Sequence, residues 1–327
     1  MKLTSVRDVA DIMNRHGLKF NKGYGQNFLI NEAVPKRIAA ECGADPDSGI
    51  LEIGPGIGTL TRELCARYRK VVAVEIDSSL IPALKETTAD LDNLVIINDD
   101  IMKTDLDRLI SDEFAGMNVT VCANLPYYIT TPIIMKLLES DVRFDNITVM
   151  IQKEVAARLT SKPGEPDYGA ITASVARYGT ARRLFTVSAG SFIPAPKVDS
   201  AVIRIETSRE RSYTVKDEKT LTRCIRGAFA LRRKTLVNSL ASEFGEIGKA
   251  GIALAVISAG FPENIRGEQL GIPEFARLSG ISKIVIGRST IARKNIFSKP
   301  TLTERLISSV PNLDIHVIPD ASTGTSY

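Results

Sequence analysis

An α/β fold, in which a mostly parallel sheet alternates with helices and a smaller helical domain follows, is predicted by three observations. Between residues 50 and 150, short β-branched runs alternate with helical segments, as parallel βαβ units do. The run Leu51-Glu52-Ile53 leads into Gly54-Pro55-Gly56-Ile57-Gly58, which reads as a buried strand, a glycine turn and a helix beginning near Thr59. From about residue 208 to 279 the strand-like runs give way to amphipathic helices.

Gly54, Gly56 and Gly58 have the spacing of nucleotide-type loops, where backbone approaches a ligand and N–H groups of the next helix face it. A tight turn alone can carry the same glycines. Two further features favour a ligand. Glu75 ends the apolar run 71–74, about 20 residues past the glycines, where such folds place a carboxylate on a ribose. The plain alternative is a surface glutamate at a strand end. Pro55 sits between the glycines and no GK[ST] sequence follows, so no lysine reaches for phosphates. A phosphate-free adenosyl ligand therefore fits better than ATP.

With 327 residues and 44% hydrophobic composition, the chain can bury one large core and a second, smaller one. No run approaches the roughly 18 apolar residues of a membrane span, and residues 1–22 are too polar for a signal segment. A soluble cytoplasmic monomer is expected. Cys42, Cys65, Cys122 and Cys224 are scattered, and His16 and His316 are the two histidines. Neither a metal site nor a disulfide framework is expected. Charge is unevenly distributed: residues 41–140 hold 17 acidic and 8 basic side chains, a net −9, and residues 177–240 hold 5 acidic and 14 basic, a net +9. A basic second half suggests a polyanionic partner, most plausibly nucleic acid, against the alternative of a solvated basic face.

Taken in order, Val6, Val9, Ile12 and Met13 predict a helix over 5–16, followed by a basic loop over 17–26. Asn31 can cap the next helix, with Pro35 in its first turn. Asn27 supports a turn or folds an amide over a ligand, and its neighbours do not decide between them. Strands are expected at 50–53, 71–75, 94–97, 119–123 and 147–151. Asp99-Asp100 follows the third, and Asn124-Leu125-Pro126-Tyr127-Tyr128 follows the fourth. Ligands of such sheets bind beyond the carboxyl ends of the strands, so the glycine loop, Glu75, Asp100 and Asn124 should converge on one rim. Each alone is as readily a turn former.

Gln152-Lys153-Glu154 opens a helical turn, a Pro/Gly loop spans 161–168, and a helix is expected at 169–178. The stiff segment from Phe192 to Ser200 precedes a strand at 201–205, with Phe192 either a core anchor or an aromatic wall of the site. A charged linker at 206–219 places a domain boundary near 208. In a single helix from Leu221 to Leu240, the residues Leu221, Ile225, Ala228, Phe229, Leu236 and Leu240 share one side, while Arg223, Arg226, Arg233 and Lys234 share the other. Such a stripe suits phosphate backbone, though solvated helices can look alike. Arg232 falls in the apolar arc and should snorkel or find a partner.

These stretches resemble the ribosomal RNA adenine N6,N6-dimethyltransferases from about Gly25 to Leu278. The resemblance is carried by Gly25-Gln-Asn-Phe-Leu29, Glu52-Ile-Gly-Pro-Gly56, Asn124-Leu-Pro-Tyr127, Gln152-Lys-Glu154, Phe192 through Ser200, Arg232-Arg-Lys-Thr235 and Asn238-Ser-Leu240. It implies a Rossmann-like S-adenosylmethionine-dependent methyltransferase domain with a smaller C-terminal helical RNA-recognition domain. The implied reaction is dimethylation of two adjacent adenosines near the 3′ end of small-subunit (16S) rRNA in the 30S particle. Cofactor contacts are implied for Asn27, Leu29, Gly54, Glu75, Asp100 and Asn124, with Glu75 on the ribose and Asp100 on the cofactor's adenine amine. For the target base, the Asn124 oxygen and a backbone carbonyl near Leu125 or Pro126 would accept from N6, and Tyr127 and Phe192 would stack on the ring. Two rival readings are a large-subunit adenine methyltransferase of the macrolide-resistance type and a non-catalytic ribosome-assembly factor. Phe192 to Ser200 and Arg232 to Leu240 argue against the first, and the intact Glu75, Asp100 and Asn124 to Tyr127 argue against the second.

Domains are accordingly expected at 1–207, 208–280 and an atypical tail at 281–327. The tail reads as a strand and turn at 283–289, a helix at 302–309 and a strand at 313–318. It resembles the end of a universal-stress-protein-like domain of potassium sensor kinases. A nucleotide-binding role for residues 287–289 is disfavoured, because half of such a domain is absent, and the piece is expected to be packed on the helical domain, disordered or a fusion.

Overall fold

The computed structural model describes residues 2–18, 26–208 and 213–281, and the backbone of 283–288 and 314–319. The chain begins with α1 (Val6–Arg15), whose cap Ser5 accepts from the Asp8 N–H, then β1 (Phe28–Leu29) and α2 (Ala33–Ala40). Glu32 rather than Asn31 occupies the α2 cap position. Asn31 acts one residue earlier, accepting from the Ala33 N–H at 3.2 Å.

An alternating run follows: β2 (Gly49–Ile53), α3 (Thr59–Cys65), β3 (Lys70–Glu75), α4 (Ile81–Thr87), β4 (Leu94–Asn98), α5 (Leu106–Phe114) and β5 (Val119–Asn124). It continues through α6 (Thr130–Glu139), β6 (Asn146–Gln152), α7 (Lys153–Thr160), α8 (Ala170–Ala176), β7 (Gly179–Val187), β8 (Phe192–Ile193) and β9 (Ser200–Thr207). Seven strands make one sheet in the order β4-β3-β2-β5-β6-β9-β7. The first five are parallel and β9 runs antiparallel to both neighbours.

The central strands β2, β3, β5 and β6 are buried on both sides, as a sheet covered on two faces requires. Ile50, Val71, Cys122, Met150 and Val202 pack with Val34 and Ile38 of α2 and Leu60 and Leu64 of α3. Leu51, Val72, Val121 and Val149, which alternate with them, are also fully buried. Chain order reverses between β2 and β5, and such a reversal opens a crevice at the strands' carboxyl ends.

Contacts divide the chain into two compact units: residues to Thr160 with those from Tyr178 through β9, and Ser161–Arg177 with the described residues from Tyr213 on. The segment 161–177 thus goes with the second unit instead of the 1–207 stretch in which its sequence position put it. Tyr168 and Ala173 enter the core of the second unit, and the Tyr168 hydroxyl donates to the Leu270 carbonyl at 2.8 Å. That unit contains α9 (Glu218–Ala230), α10 (Leu236–Glu243), α11 (Gly248–Ser258) and α12 (Ile272–Ser279) around Leu221, Ile225, Leu236, Leu240 and Phe275.

The single helix expected from Leu221 to Leu240 is two helices. Ala230 ends α9, and Thr235 starts α10 from an extended backbone, its hydroxyl accepting from the Asn238 N–H. A cap of this kind satisfies an end N–H that a continuous helix would have bonded internally. In the tail, β10 (Lys283–Arg288) and β11 (Asp314–Pro319) form a parallel pair. The helix expected at 302–309 and residue Ser289 lie outside the described residues. Among the described residues, no helix is long and apolar enough to cross a membrane.

Phe275 is fully buried and packs with Phe229, ring centroids 6.2 Å apart. Phe275→Ala is expected to cost the second unit about 3–5 kcal/mol, read as a lower denaturant midpoint for that unit.

Candidate active site

One cavity lies beyond the carboxyl ends of β2, β3 and β5 and the turn after β4. It is lined by the glycine loop from Gly54 to Gly56, by Glu75 and Ile76, by Asp99 to Ile101, and by Asn124 to Ile129, with Gln26 to Leu29 closing it. Asn27, Leu29, Gly54, Glu75, Asp100, Asn124, Leu125, Pro126 and Tyr127, expected from sequence to gather, all line it.

The loop owes its shape to left-handed backbone. Gly54, Gly56 and Gly58 have φ of 69°, 62° and 88°, values that cost other residues free energy. At Gly54 an added Cβ would meet nothing within 4 Å. At Gly56 the same atom would come to 3.1 Å of the Phe28 ring.

Glu75 fastens this loop to the end of β3. Its Oε2 accepts from the Gly56 N–H at 3.0 Å and its Oε1 from the Asp77 N–H at 2.9 Å. Burial raises its pKa, and these backbone donors pull the other way. Gln26 donates to Asp77 at 2.8 Å, which holds the entering chain against the same corner. Asp100 has one oxygen on the Met102 N–H at 2.9 Å, while the other faces Lys103 at 3.6 Å.

Asn124 donates from Nδ2 to the Asn27 carbonyl at 3.5 Å, which leaves its Oδ1 as an acceptor. The Pro126 carbonyl is engaged, accepting from the Thr130 hydroxyl at 3.0 Å and the Ile129 N–H at 3.3 Å. Of the two backbone carbonyls that sequence left open, Leu125 is the one without a hydrogen bond among the described residues. Tyr127 is half-buried, its hydroxyl 2.6 Å from that of Ser200 at the start of β9. Burial raises its pKa, so the phenol stays protonated.

A second, more open cavity shares Asn27 and Tyr127 with the first and is otherwise bounded by Gln152, Glu154, Pro196, Lys197 and Val198. Phe192 lines neither. It is 3% exposed, pairs with Leu29 across the short β1–β8 ladder, and packs in the core with Val34 and Ile38. The stacking role expected of it is therefore replaced by that of a core anchor beneath the site.

Glu52 lines the first cavity and was assigned no role from sequence. It is 1% exposed and its Oε2 has no hydrogen-bond partner among the described residues. Burial pushes its carboxyl from 4.5 up to about 8, with Glu75 adding to the shift. The available signal was a carboxylate inside the otherwise apolar strand Ile50-Leu51-Glu52-Ile53.

Residues 17–254 match the family described as ribosomal RNA adenine dimethylase. The chain belongs to that family. A protein named ribosomal RNA small subunit methyltransferase A from Alkaliphilus metalliredigens (strain QYMF) is 43% identical over 278 residues, which cover 85% of this chain and 97% of the relative. A dimethyladenosine transferase from Plasmodium falciparum shares the fold, with a TM-score of 0.65 at 24% identity over 76% of this chain and 95% of that one. The 23S rRNA methyltransferase ErmE does so too, with a TM-score of 0.61 at 25% identity over 77% and 98%. The Rossmann-like methyltransferase fold expected from the sequence is the fold of the family.

Of the four cations expected to form one basic stripe, two are engaged within the second unit. Arg226 pairs with Glu243, and Arg223 pairs with Glu246 at 2.8 Å and stacks over Phe244 at 4.3 Å. Arg233 and Lys234 are exposed in the turn between α9 and α10. Arg232 does find a partner, reaching the Pro166 carbonyl and Glu268.

The raised Glu52 pKa has a consequence for stability. Between about pH 4.5 and 8 the folded chain keeps a proton that the unfolded chain has released. Its contribution is therefore complete below 4.5 and declines as pH rises toward 8, and the raised Glu75 adds the same sign. Glu52→Gln is expected to flatten that decline in the ligand-free protein, measured by denaturant midpoints across the range.

Proposed function

We propose that this chain transfers methyl groups from S-adenosylmethionine to N6 of two adjacent adenosines near the 3′ end of small-subunit rRNA, acting as a cytoplasmic monomer on the 30S particle. The observation that carries the reading is the pair of open acceptors, Asn124 Oδ1 and the Leu125 carbonyl, at the cavity behind the glycine loop. The small-subunit relative named above supports the choice of RNA.

The donor set fits this cofactor. Gly54 leaves room for close approach, and the orphaned Glu52 oxygen answers a cationic group such as the methionine ammonium. Glu75, with lone pairs beyond its two backbone donors, would take the ribose hydroxyls, and the outer oxygen of Asp100 the adenine amine. Asn27 and Leu29 would cover the bound molecule. When bound, the cofactor supplies an electrophilic methyl on a sulfonium.

An adenine amine is a poor nucleophile because its lone pair is delocalised into the ring. Asn124 Oδ1 and the Leu125 carbonyl, accepting its two N–H bonds, would favour a pyramidal nitrogen with its lone pair directed at the methyl group. The protonated Tyr127 serves as a flat wall for the extruded base rather than as a base. Positioning then carries most of the rate, and the proton leaves to solvent.

Purified protein, radiolabelled S-adenosylmethionine and 30S particles lacking the modification are expected to yield dimethyladenosine in the small-subunit RNA. Label confined to large-subunit RNA would overturn the assignment. Asn124→Ala should abolish transfer while sparing RNA binding, seen by running nucleoside analysis beside a filter-binding titration.

RNA attraction is assigned to the exposed Arg233 and Lys234, with Arg223 and Arg226 largely neutralised by their glutamates. Charge reversal at Arg233 and Lys234 is expected to weaken binding and flatten its salt dependence. Arg226→Ala should change that slope little, and a larger effect there than at 233 and 234 would reverse the assignment.

A further inference from the structure

We infer that Gln152 reads a ring nitrogen of the target adenine, the acceptor beside the amine that is methylated; this rests on the adenine-methylating reading above. Gln152 is the last residue of β6 and pairs with Ser200 across the antiparallel β6–β9 ladder. Directly opposed residues of such a ladder place their side chains on the same face. Ser200 is the residue whose hydroxyl holds that of Tyr127 at 2.6 Å. The Gln152 side chain is therefore on the Tyr127 side of the sheet, and both line the second cavity.

The chemistry of that cavity narrows its ligand. Gln152 is half-buried, and among the described residues its amide has no hydrogen bond. A half-buried amide without a protein partner can pair with a ligand at no loss of an internal hydrogen bond. Glu154 can only accept, and Lys197 is exposed at the rim. Once Asn124 and Leu125 take the N–H bonds of the amine, an adenine presents N1 on one side of the amino carbon and N7 on the other. Both are acceptors, and the Gln152 NH2 is a donor suited to either. Aliphatic Val198 and Pro196 border the same space and suit a ring face.

The test uses 30S particles reconstituted with adenosine, 1-deazaadenosine or 7-deazaadenosine at the target positions, and the wild-type, Gln152→Leu and Gln152→Glu proteins. Wild-type protein on unmodified particles is the control: without dimethyladenosine there, the adenine-methylating reading itself fails. Both variants are expected to bind S-adenosylmethionine as the wild type does and to lose roughly tenfold in kcat/KM. Gln152→Glu keeps the shape but puts a charged acceptor where the donor was, and Gln152→Leu removes the donor without adding charge, so a loss shared by both is the loss of the donor. One of the two deaza substrates should cost the wild type a similar factor and cost the variants nothing further. Equal deaza penalties in wild type and variants at both ring positions would overturn the inference, as would variants that methylate unmodified particles at the wild-type rate.

Discussion

The carboxylate of Glu75 is the tie on which the site depends. It takes N–H groups from Gly56 and Asp77, and so joins the turn after β2 to the end of β3, its parallel neighbour. Three glycines with positive φ make that turn possible but do not hold it. A buried carboxylate with two backbone donors does, because separating them would leave a charge and two N–H groups unsolvated. The cavity wall formed by Gly54 and the seat of Gln26 on Asp77 follow from this corner.

The same corner holds a second acid that the fold does not satisfy. Glu52 is carried inward by strand alternation, between apolar neighbours and with an unpaired oxygen. In the ligand-free protein the group relieves its desolvation by holding a proton, and a bound cation would relieve it by holding the charge. Binding of such a cation would couple stability and ligand affinity through one buried side chain. Neutral polar groups hold the cavity wall after β5: Asn124 donates to the Asn27 carbonyl and the Tyr127 hydroxyl pairs with that of Ser200.

The second unit distributes its charges by a comparable economy. α9 presents Arg223 and Arg226 to carboxylates of the α10 end and the turn beyond it, so that these two cations are paired within the unit. The break at Thr235 then leaves Arg233 and Lys234 on a turn, where cations extend into solvent without an intramolecular acid among the described residues.

The sequence by itself determined the alternating sheet, its rim and the residues on that rim. Strand periodicity, glycine spacing and polar residues at successive strand ends are local properties, and a parallel sheet brings its carboxyl ends together whatever fills the core. It also determined the family, through short stretches spread along the chain. Only the tertiary structure decided that Phe192 is a core anchor, because its pairing with Leu29 joins residues far apart in the chain. It alone shows that the start of α6 engages the Pro126 carbonyl, while that of Leu125 has no hydrogen bond among the described residues. The break between α9 and α10 and the membership of 161–177 in the second unit were likewise hidden, because a cap and a distant core outweigh local helical periodicity. Which polar groups lack a partner among the described residues, the Glu52 Oε2 among them, depends on every neighbour at once.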